Sequence, residues 1–462
     1  MKPEDARVAV IGGGLAGITA AIALAESGAQ VTLLEARPRL GGATCSFHRD
    51  GLIVDTGQHV FLGCCSAYRG LLAKLGMTAH APLQDRFDVT VLAPGRPAGQ
   101  PGAGQPGAGQ PGAGQPGASQ PGASQPRRAR LRRTALPGPL HMLPALGRYP
   151  FLSWAERAQV ARPALAMRRV DPAAPAADTE RFGDWLAARG QSERARRALW
   201  DLFSVSALNI GGDDASLALA ATVVKTGLLG KNNAADIGVA ALPLGELHGD
   251  AAATLLAKLG AQVIMGAKVT AIEAGAIEAG AIEAGAIEGT EGQNARFRVR
   301  LGRGEDADLA ADAVVLAVPH EKAAPLIPPD ALPSGTVAGW AGLGASPIVN
   351  VHVIYDRPVT DLPFAAAIDS PVQWVFDRTS ISGMTAAKHG GPGQYLAISL
   401  SAADEYADVP AARLREQFVP ALAELFPAAR DAQVTEFFVT RERRATFRQA
   451  PGSGALRPKA AT

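Results

Sequence analysis

The sequence predicts an α/β fold in which a Rossmann-like domain is split along the chain and an α+β domain is interleaved with it. Three observations carry this reading. Residues 8–42 run as an apolar stretch, a glycine turn, an alanine-rich stretch and a second apolar run. Short apolar strands of the same character return at 236–320. What lies between and after them differs: a helical segment at 134–235 and longer strands at 346–447. One pattern resumed after foreign material is the mark of a domain inserted into another.

The first element is the run Val8 to Ile11, short and apolar as a buried parallel strand is. It stops at Gly12, Gly14 and Gly17, in G-x-G-x-x-G spacing with Ala16 inside the turn. In such a turn the first glycine permits the tight bend. The second lets a pyrophosphate approach the backbone, and the third lets the following helix pack on the strand. The alanine-rich stretch is that helix, and its N-terminus offers free N–H groups and a positive dipole end to phosphates. Val31 to Leu34 is the second strand, ending at Glu35, placed to accept ribose hydroxyls and to repel a 2′-phosphate. A lone glycine fingerprint is weak, and a plain βαβ unit is the alternative. Here the spacing, the flanking strands and the terminal acid agree on a dinucleotide.

The remaining elements follow in order. At 51–59 Asp55, Gly57 and His59 alternate as on a strand or its end, Leu71 to Gly76 reads as a helix end, and 85–93 as a strand. Residues 98–126 repeat PGAGQ drifting to PGASQ, with almost nothing apolar to bury. A disordered surface insertion is expected there, and collagen is excluded because glycine does not fall at every third residue. Arg127 to Arg133 is a basic run, followed to Val170 by apolar residues at rough helical spacing. Two readings stay open for it: a helical cap over a substrate site with a solvated basic face, or a monotopic contact with anionic headgroups. Core-like patterns at Asp184–Leu186 and Leu199–Phe203 continue the helical segment. Then come a helix within 242–260, a strand from Ala261 to Met265 and another around Lys268 to Ile272. A second repeat, AIEAG, fills 271–288 as a length-expanded loop. Strands are expected at 297–301, 312–319, 346–356, 394–401 and 434–447, with a helix from Ala411 to Leu425. The segments are therefore 1–93 and 236–320 for the nucleotide domain, 94–133 for the insertion and basic run, and 134–235 and 321–447 for the substrate domain. Residues 448–462 form a terminal remnant.

With 462 residues, 47% of them hydrophobic, the chain can build two domains. A net charge of +2 gives no nucleic-acid footprint. Three cysteines, Cys45, Cys64 and Cys65, form neither a metal spacing nor a disulfide framework, so no metal is expected and a reduced, cytoplasmic protein is. The N-terminal residues are not a clean basic leader, and the apolar run after them contains the glycine fingerprint, so export by that route is not expected. No stretch offers the roughly 18 consecutive apolar residues of a spanning helix.

Glu35-Ala-Arg37-Pro-Arg-Leu-Gly41-Gly42 resembles the E-x-x-x-x-x-G-G extension of FAD-dependent amine oxidases and carotenoid desaturases. Three further segments carry the likeness: 51–76, Ser206–Asn209 with Ala215–Ser216, and ATFRQAPGSGALRP from Ala445. With them the chain is similar to the hydroxysqualene dehydroxylases, or squalene-associated FAD-dependent desaturases, a branch of the phytoene-desaturase and amine-oxidase flavoproteins. The resemblance implies FAD, with Gly12, Gly14, Ala16 and Gly17 at the phosphates and Glu35 and Arg37 on the adenosine side. It places Gly42, Ala43 and Thr44 in the second glycine segment, and Gly57, Gln58 and His59 near the isoalloxazine. Val269 would meet the adenine through its backbone, an ordinary core valine being the alternative. The implied reaction is reductive removal of the hydroxyl of hydroxysqualene in squalene and hopanoid biosynthesis. A long-chain isoprenoid substrate and upstream prenyl-synthase-like enzymes are its partners, and a peripheral contact at the inner face of the cell membrane goes with it. His59 is the candidate proton donor, a structural histidine the alternative. Rival readings are an isoprenoid desaturase or amine oxidase of the same fold, and an inactive lipid binder. The family's third FAD segment should begin near Arg457 to Thr462, so weak FAD binding is expected of these residues.

Overall fold

The structure, a computed structural model, describes residues 6–95, 125–138, 140–277, 295–302, 308–328, 331–332, 335–384 and 393–458. Nearly all of the PGAGQ repeat and most of the AIEAG repeat lie outside the described residues.

The fingerprint folds as expected into β1 (Arg7–Ile11), α1 (Leu15–Glu26) and β2 (Gln30–Glu35). Four parallel strands form the nucleotide-domain sheet, in the order Ala313–Leu316, β1, β2, Gln262–Met265. Ile18, Ala21 and Ile22 of α1 pack on one face, beside Ala252 and Leu256 of the Ala251–Lys258 helix. Ala9, Ile11 and Leu34 on the other face meet a three-stranded antiparallel sheet built from Val269–Ile277, Ala295–Leu301 and Leu309–Ala311. Both faces of the parallel sheet are thus covered, which its unbroken apolar strands require. Asp312 accepts from the backbone N–H and the guanidinium of Arg7 at 2.9–3.0 Å, fixing the two sequence-distant strands in register.

The second domain centres on a seven-stranded sheet. Its order is Val434–Thr446, Ser346–Tyr355, Gln394–Leu400, Trp374–Asp377, Phe364–Ala367, Asp88–Ala93 and Arg127–Arg132. The Ala411–Leu425 helix covers one end, its Leu414, Phe418, Leu422 and Leu425 one helical turn apart against Val349, Val351 and Val353. A helical layer over 143–228 covers the other end, where Phe182, Trp185 and Trp200 share a core with Val89, Val91, Leu131 and Phe376.

Three elements differ from the sequence reading. The AIEAG repeat, read as a loop from 271, begins as part of the Val269–Ile277 strand, because it pairs with Ala295–Leu301. Asp88–Ala93, grouped with the N-terminal segment, is a strand of the large sheet and pairs with Phe364–Ala367. The basic run is not helical but the edge strand Arg127–Arg132, antiparallel to Asp88–Ala93, and its arginines at alternate positions form the solvated face. Its alternation is the reason. Ala129 and Leu131 point into the core, and Arg130 and Arg132 pair with Asp88 outside it. Only two apolar positions carry that period, so the charge masked it. Asn209 ends the Asp201–Leu208 helix in the left-handed conformation, φ 51°. Its amide donates to the Ser346 carbonyl and Thr446 Oγ1 and accepts from the Ala402 N–H, tying the helical layer to the sheet.

Candidate cofactor site

The site is built at the C-terminal end of β1 and β2. Gly12 turns the chain at φ +106°, where a Cβ would lie 2.5 Å from the Ala317 carbonyl oxygen. A Cβ on Gly17 would lie 1.8 Å from the Gly12 oxygen, so α1 can seat only with glycine there. Gly14 is different. A Cβ built on it meets nothing within 4 Å except the Cα of Gly42, at 3.9 Å. No protein contact demands that glycine, and its missing side chain leaves a cradle. Gly42, at φ +59°, faces it from the second glycine loop, which the Gly41 N–H ties to the Gly13 carbonyl at 2.8 Å. No side chain caps α1 and no acid lies in its first turn, so its N-terminus, with Ala16 exposed, keeps its donors and positive end for an anion.

Glu35 is buried at the end of β2. One carboxylate oxygen accepts from the Gly13 N–H at 2.6 Å and the other from the Arg37 N–H at 2.8 Å. It therefore also braces the glycine turn, a role the sequence did not announce. One lone pair per oxygen remains for a further donor. The Arg37 side chain is exposed and reaches the Gly42 carbonyl at 3.5 Å. Hydrogen bonds from the Ala267 and Gly266 N–H groups to the Glu35 and Arg37 carbonyls bring the Val269 strand to this same end. The Val269 side chain is buried with Ala9, Ile11 and Leu34.

The second half of the site is the Leu52–Asp55 strand and the residues after it. Thr56 Oγ1 donates to the Ala43 carbonyl at 2.6 Å, which joins the Gly57–His59 segment to Gly42–Thr44. Asp55 accepts from Ser46 Oγ at 2.6 Å and the Leu244 N–H at 3.0 Å and pairs with Arg378, both charges buried. Burial pushes the Arg378 guanidinium below its ordinary pKa, and Asp55 opposes that. His59 is exposed, yet desolvation is the largest influence on it and pulls its pKa down, with Asp55 opposing. Beside it, Gln58 Oε1 is buried with no partner.

Six participants escaped the sequence reading: Arg378, Asn350, Gly245, Gly249, His248 and Tyr68. Arg378 and Asn350, which donates to the Thr56 carbonyl at 3.3 Å, come from the large sheet. Gly245 and Gly249, one helical turn apart, let the Gly245–Asp250 turn lie against the second glycine loop. A Cβ on Gly249 would be 3.0 Å from the Leu40 oxygen. The spacing of those two glycines was the one available signal. Between them His248, its pKa lowered by burial, shares a 2.8 Å hydrogen bond with the Tyr68 hydroxyl. Among the described residues no cluster suits a metal ion.

These residues fit a flavin dinucleotide. The uncapped helix and the Gly14–Gly42 cradle suit the pyrophosphate, and Glu35 the ribose. Gln58, with its unpartnered oxygen, and His59 follow Thr56, which is tied to the second glycine loop, and could meet the rest of the group.

Comparison with known proteins agrees. The model of the family described as flavin containing amine oxidoreductase matches residues 15–462. Hydroxysqualene dehydroxylase of Rhodopseudomonas palustris is 26% identical over 466 residues, covering 98% of this chain and 88% of that protein. A probable zeta-carotene desaturase of Synechococcus elongatus is 23% identical, covering 98% and 90%. The zeta-carotene desaturase of Zea mays is 45% identical over only 71 residues, 15% of this chain and 12% of that protein's length. Among solved structures, putrescine oxidase superposes with a TM-score of 0.63 at 18% identity, covering 94% of this chain and 84% of its own. Cyclohexylamine oxidase from Brevibacterium oxydans gives 0.61 at 18%, covering 98% and 90%. Built on this cradle and matched over nearly its whole length, the chain belongs to the flavin containing amine oxidoreductase family, an FAD-dependent oxidoreductase.

Proposed function

We propose that this oxidoreductase replaces the hydroxyl of hydroxysqualene by hydrogen, giving squalene and water. The observation that carries the substrate is the alignment with hydroxysqualene dehydroxylase along 98% of the chain. When bound, reduced FAD supplies the hydride equivalent. The chain's own part is to seat the pyrophosphate on the α1 N-terminus, orient the ribose with Glu35 and close the cleft with the Gly57–His59 segment. His59 would deliver the proton that the hydroxyl needs to leave as water; desolvation disfavours its protonated form, which makes that form a stronger acid than free histidine but leaves it populated only at lower pH. The backbone at Val269 would meet the adenine.

The substrate of such an enzyme dissolves in membranes, and one surface suits a peripheral contact. The Trp154–Met167 helix buries Val160, Pro163 and Met167 and turns the opposite face outward. That face carries Trp154, 75% exposed, and Leu165, with Arg162, Arg168 and Arg169 exposed beside them. Apolar residues flanked by arginines match an anionic lipid surface. No helix among the described residues is long and apolar enough to cross a membrane.

The test is anaerobic incubation of the FAD-loaded protein with a chemical reductant and hydroxysqualene, with products read by mass spectrometry. Squalene is expected, and its rate should fall at least about tenfold in His59→Gln with FAD retained. Recovery of unchanged hydroxysqualene refutes the reading. The alignment with a zeta-carotene desaturase over the same share of the chain favours a second reading, isoprenoid desaturation. Consumption of zeta-carotene by the oxidised protein would select it.

A further inference from the structure

The helical layer and Leu131 of the edge strand line a partly open cavity of about 120 Å³ that shares no residue with the glycine cradle. Every residue lining it is apolar, with Leu131, Met142, Leu146, Trp200, Phe203 and Leu228 among them. Two of its walls are π-helical turns, Arg196–Trp200 and Val224–Leu228, a geometry that recurs where a helix serves a site. Leu143 at its edge is 47% exposed and continues outward into exposed Leu140 and Leu136. The inner end is closed by Trp200. Its indole N–H donates to Gln191 Oε1 at 2.9 Å, and its ring stands edge-on to Phe182 at 5.9 Å. Beyond Trp200 and Phe203 lies a second void of about 10 Å³, which also touches Ser204, Leu208 and Ala220.

We propose that this cavity holds the terminal isoprene unit of a hydrocarbon chain and that Trp200 sets where the chain must end. The size selects the occupant. A dry apolar cavity of roughly 150 Å³ takes a six-carbon ring, so 120 Å³ suits five branched carbons. The void behind Trp200 barely reaches the roughly 10–15 Å³ that a single water needs. The lining selects the chemistry. No wall residue offers a partner to a hydroxyl or a headgroup, and an unpaired polar group there would be penalised. The chain therefore enters by its unfunctionalised end, from the apolar surface at Leu143. The held indole makes the stop rigid, so it discriminates between chain ends. This deepens the isoprenoid reading above and rests on it for the identity of the natural chain.

The experiment uses the full-length, FAD-loaded protein and two hydrocarbons that are not redox substrates, 2-methyl-2-butene and 2,6-dimethylocta-2,6-diene, with calorimetry as readout. The parent should bind the five-carbon probe. Ala164→Phe, which grows a ring into the cavity, should weaken it at least about tenfold with the flavin spectrum unchanged. Trp200→Ala should join the two voids and raise the ratio of ten-carbon to five-carbon affinity at least about tenfold. Trp200→Phe, which keeps an aromatic ring, should shift the ratio the same way by less and serves where the alanine variant fails to fold. Equal binding of the five-carbon probe by parent and Ala164→Phe overturns the site. An unchanged ratio in a folded Trp200 variant overturns the stop. Because neither probe reacts, failure to convert hydroxysqualene would leave this inference standing, and the converse also holds.

Discussion

Gly14 and Gly17 belong to one fingerprint, but the structure gives them separable jobs, and a pair of substitutions distinguishes them. Gly14→Val adds a side chain where only the Gly42 Cα stands, 3.9 Å away, on a backbone of φ −75° and ψ 178° that any residue adopts. It costs the fold little: stiffening the unfolded chain favours it by about 0.4–1 kcal/mol, and exchanging glycine for valine at a helix N-cap offsets this by a similar amount. The melting temperature without cofactor should hold within a few degrees. Its isopropyl group fills the cradle, so FAD affinity should fall at least tenfold, about 1.4 kcal/mol. Gly17→Ala places a methyl 1.8 Å from the Gly12 oxygen. Helix and turn must separate, at about 1–3 kcal/mol or more, and FAD affinity falls only as the turn moves. The assays are flavin fluorescence titration of the unloaded protein and thermal denaturation with and without FAD. If Gly14→Val destabilises the unloaded protein as much as Gly17→Ala and leaves FAD affinity unchanged, the assignment of the cradle is wrong.

Three further outcomes are expected. Arg378→Met strands the buried Asp55 carboxylate and should cost about 3–5 kcal/mol in denaturant unfolding; adding Asp55→Asn should recover part of the loss. Burial holds His59, His141, His248 and His352 below the ordinary histidine pKa, His352 down to about 3. The unfolded chain then binds more protons below about pH 6.5. Stability should be full above that pH and decline as pH falls toward 3, and His352→Phe should flatten the decline in melting curves taken across that range. Ala93 pairs with Arg127, so the two strands flanking the PGAGQ repeat end side by side. Replacing 96–124 by a short Asn-Gly turn should leave the melting temperature within a few degrees, and a large drop would mean that the repeat contributes to the fold.

What was legible in the sequence is what the chain encodes within a few dozen residues. The β1–α1–β2 unit needs only residues 7 to 35 to show its period, its turn and its acid. The strands at 262–265 and 313–316 are short and mostly apolar like the first two, though only half-buried, and their composition made them readable. The edge strand Arg127–Arg132 was not. Two inward residues among four arginines look like a charge run, and only the partner strand reveals the alternation. The pairing of Asp88–Ala93 with Phe364–Ala367 joins segments far apart in sequence, and no local pattern announces a partner at that distance.

The same limit divides the site. Its glycine turn and the acid that braces it were readable because glycines and a terminal acid at fixed spacing leave few alternative explanations. Its supports were not, because each acts through a contact across the chain: Arg378 reaches Asp55 over 323 positions and Asn350 reaches the Thr56 carbonyl over 294. These contacts show how the halves of the molecule are coupled. Asp55 takes donors from Ser46, from Leu244 and from Arg378 of the large sheet. The strand leading to His59 is thus fixed by both domains at once. A buried carboxylate with three partners on three segments is costly to form and stiff once formed. It fixes the Leu52–Asp55 strand against the Leu244 segment and the large sheet together. The ATFRQAPGSGALRP segment does the corresponding work on the far side. The Ser216 N–H donates to the Gln449 carbonyl, Arg448 pairs with Asp404, and Asp178 accepts from the Gly454 and Ala455 N–H groups, strapping the helical layer to the sheet. The segment therefore acts on how the helical layer is held against the sheet, through contacts that lie outside the glycine cradle.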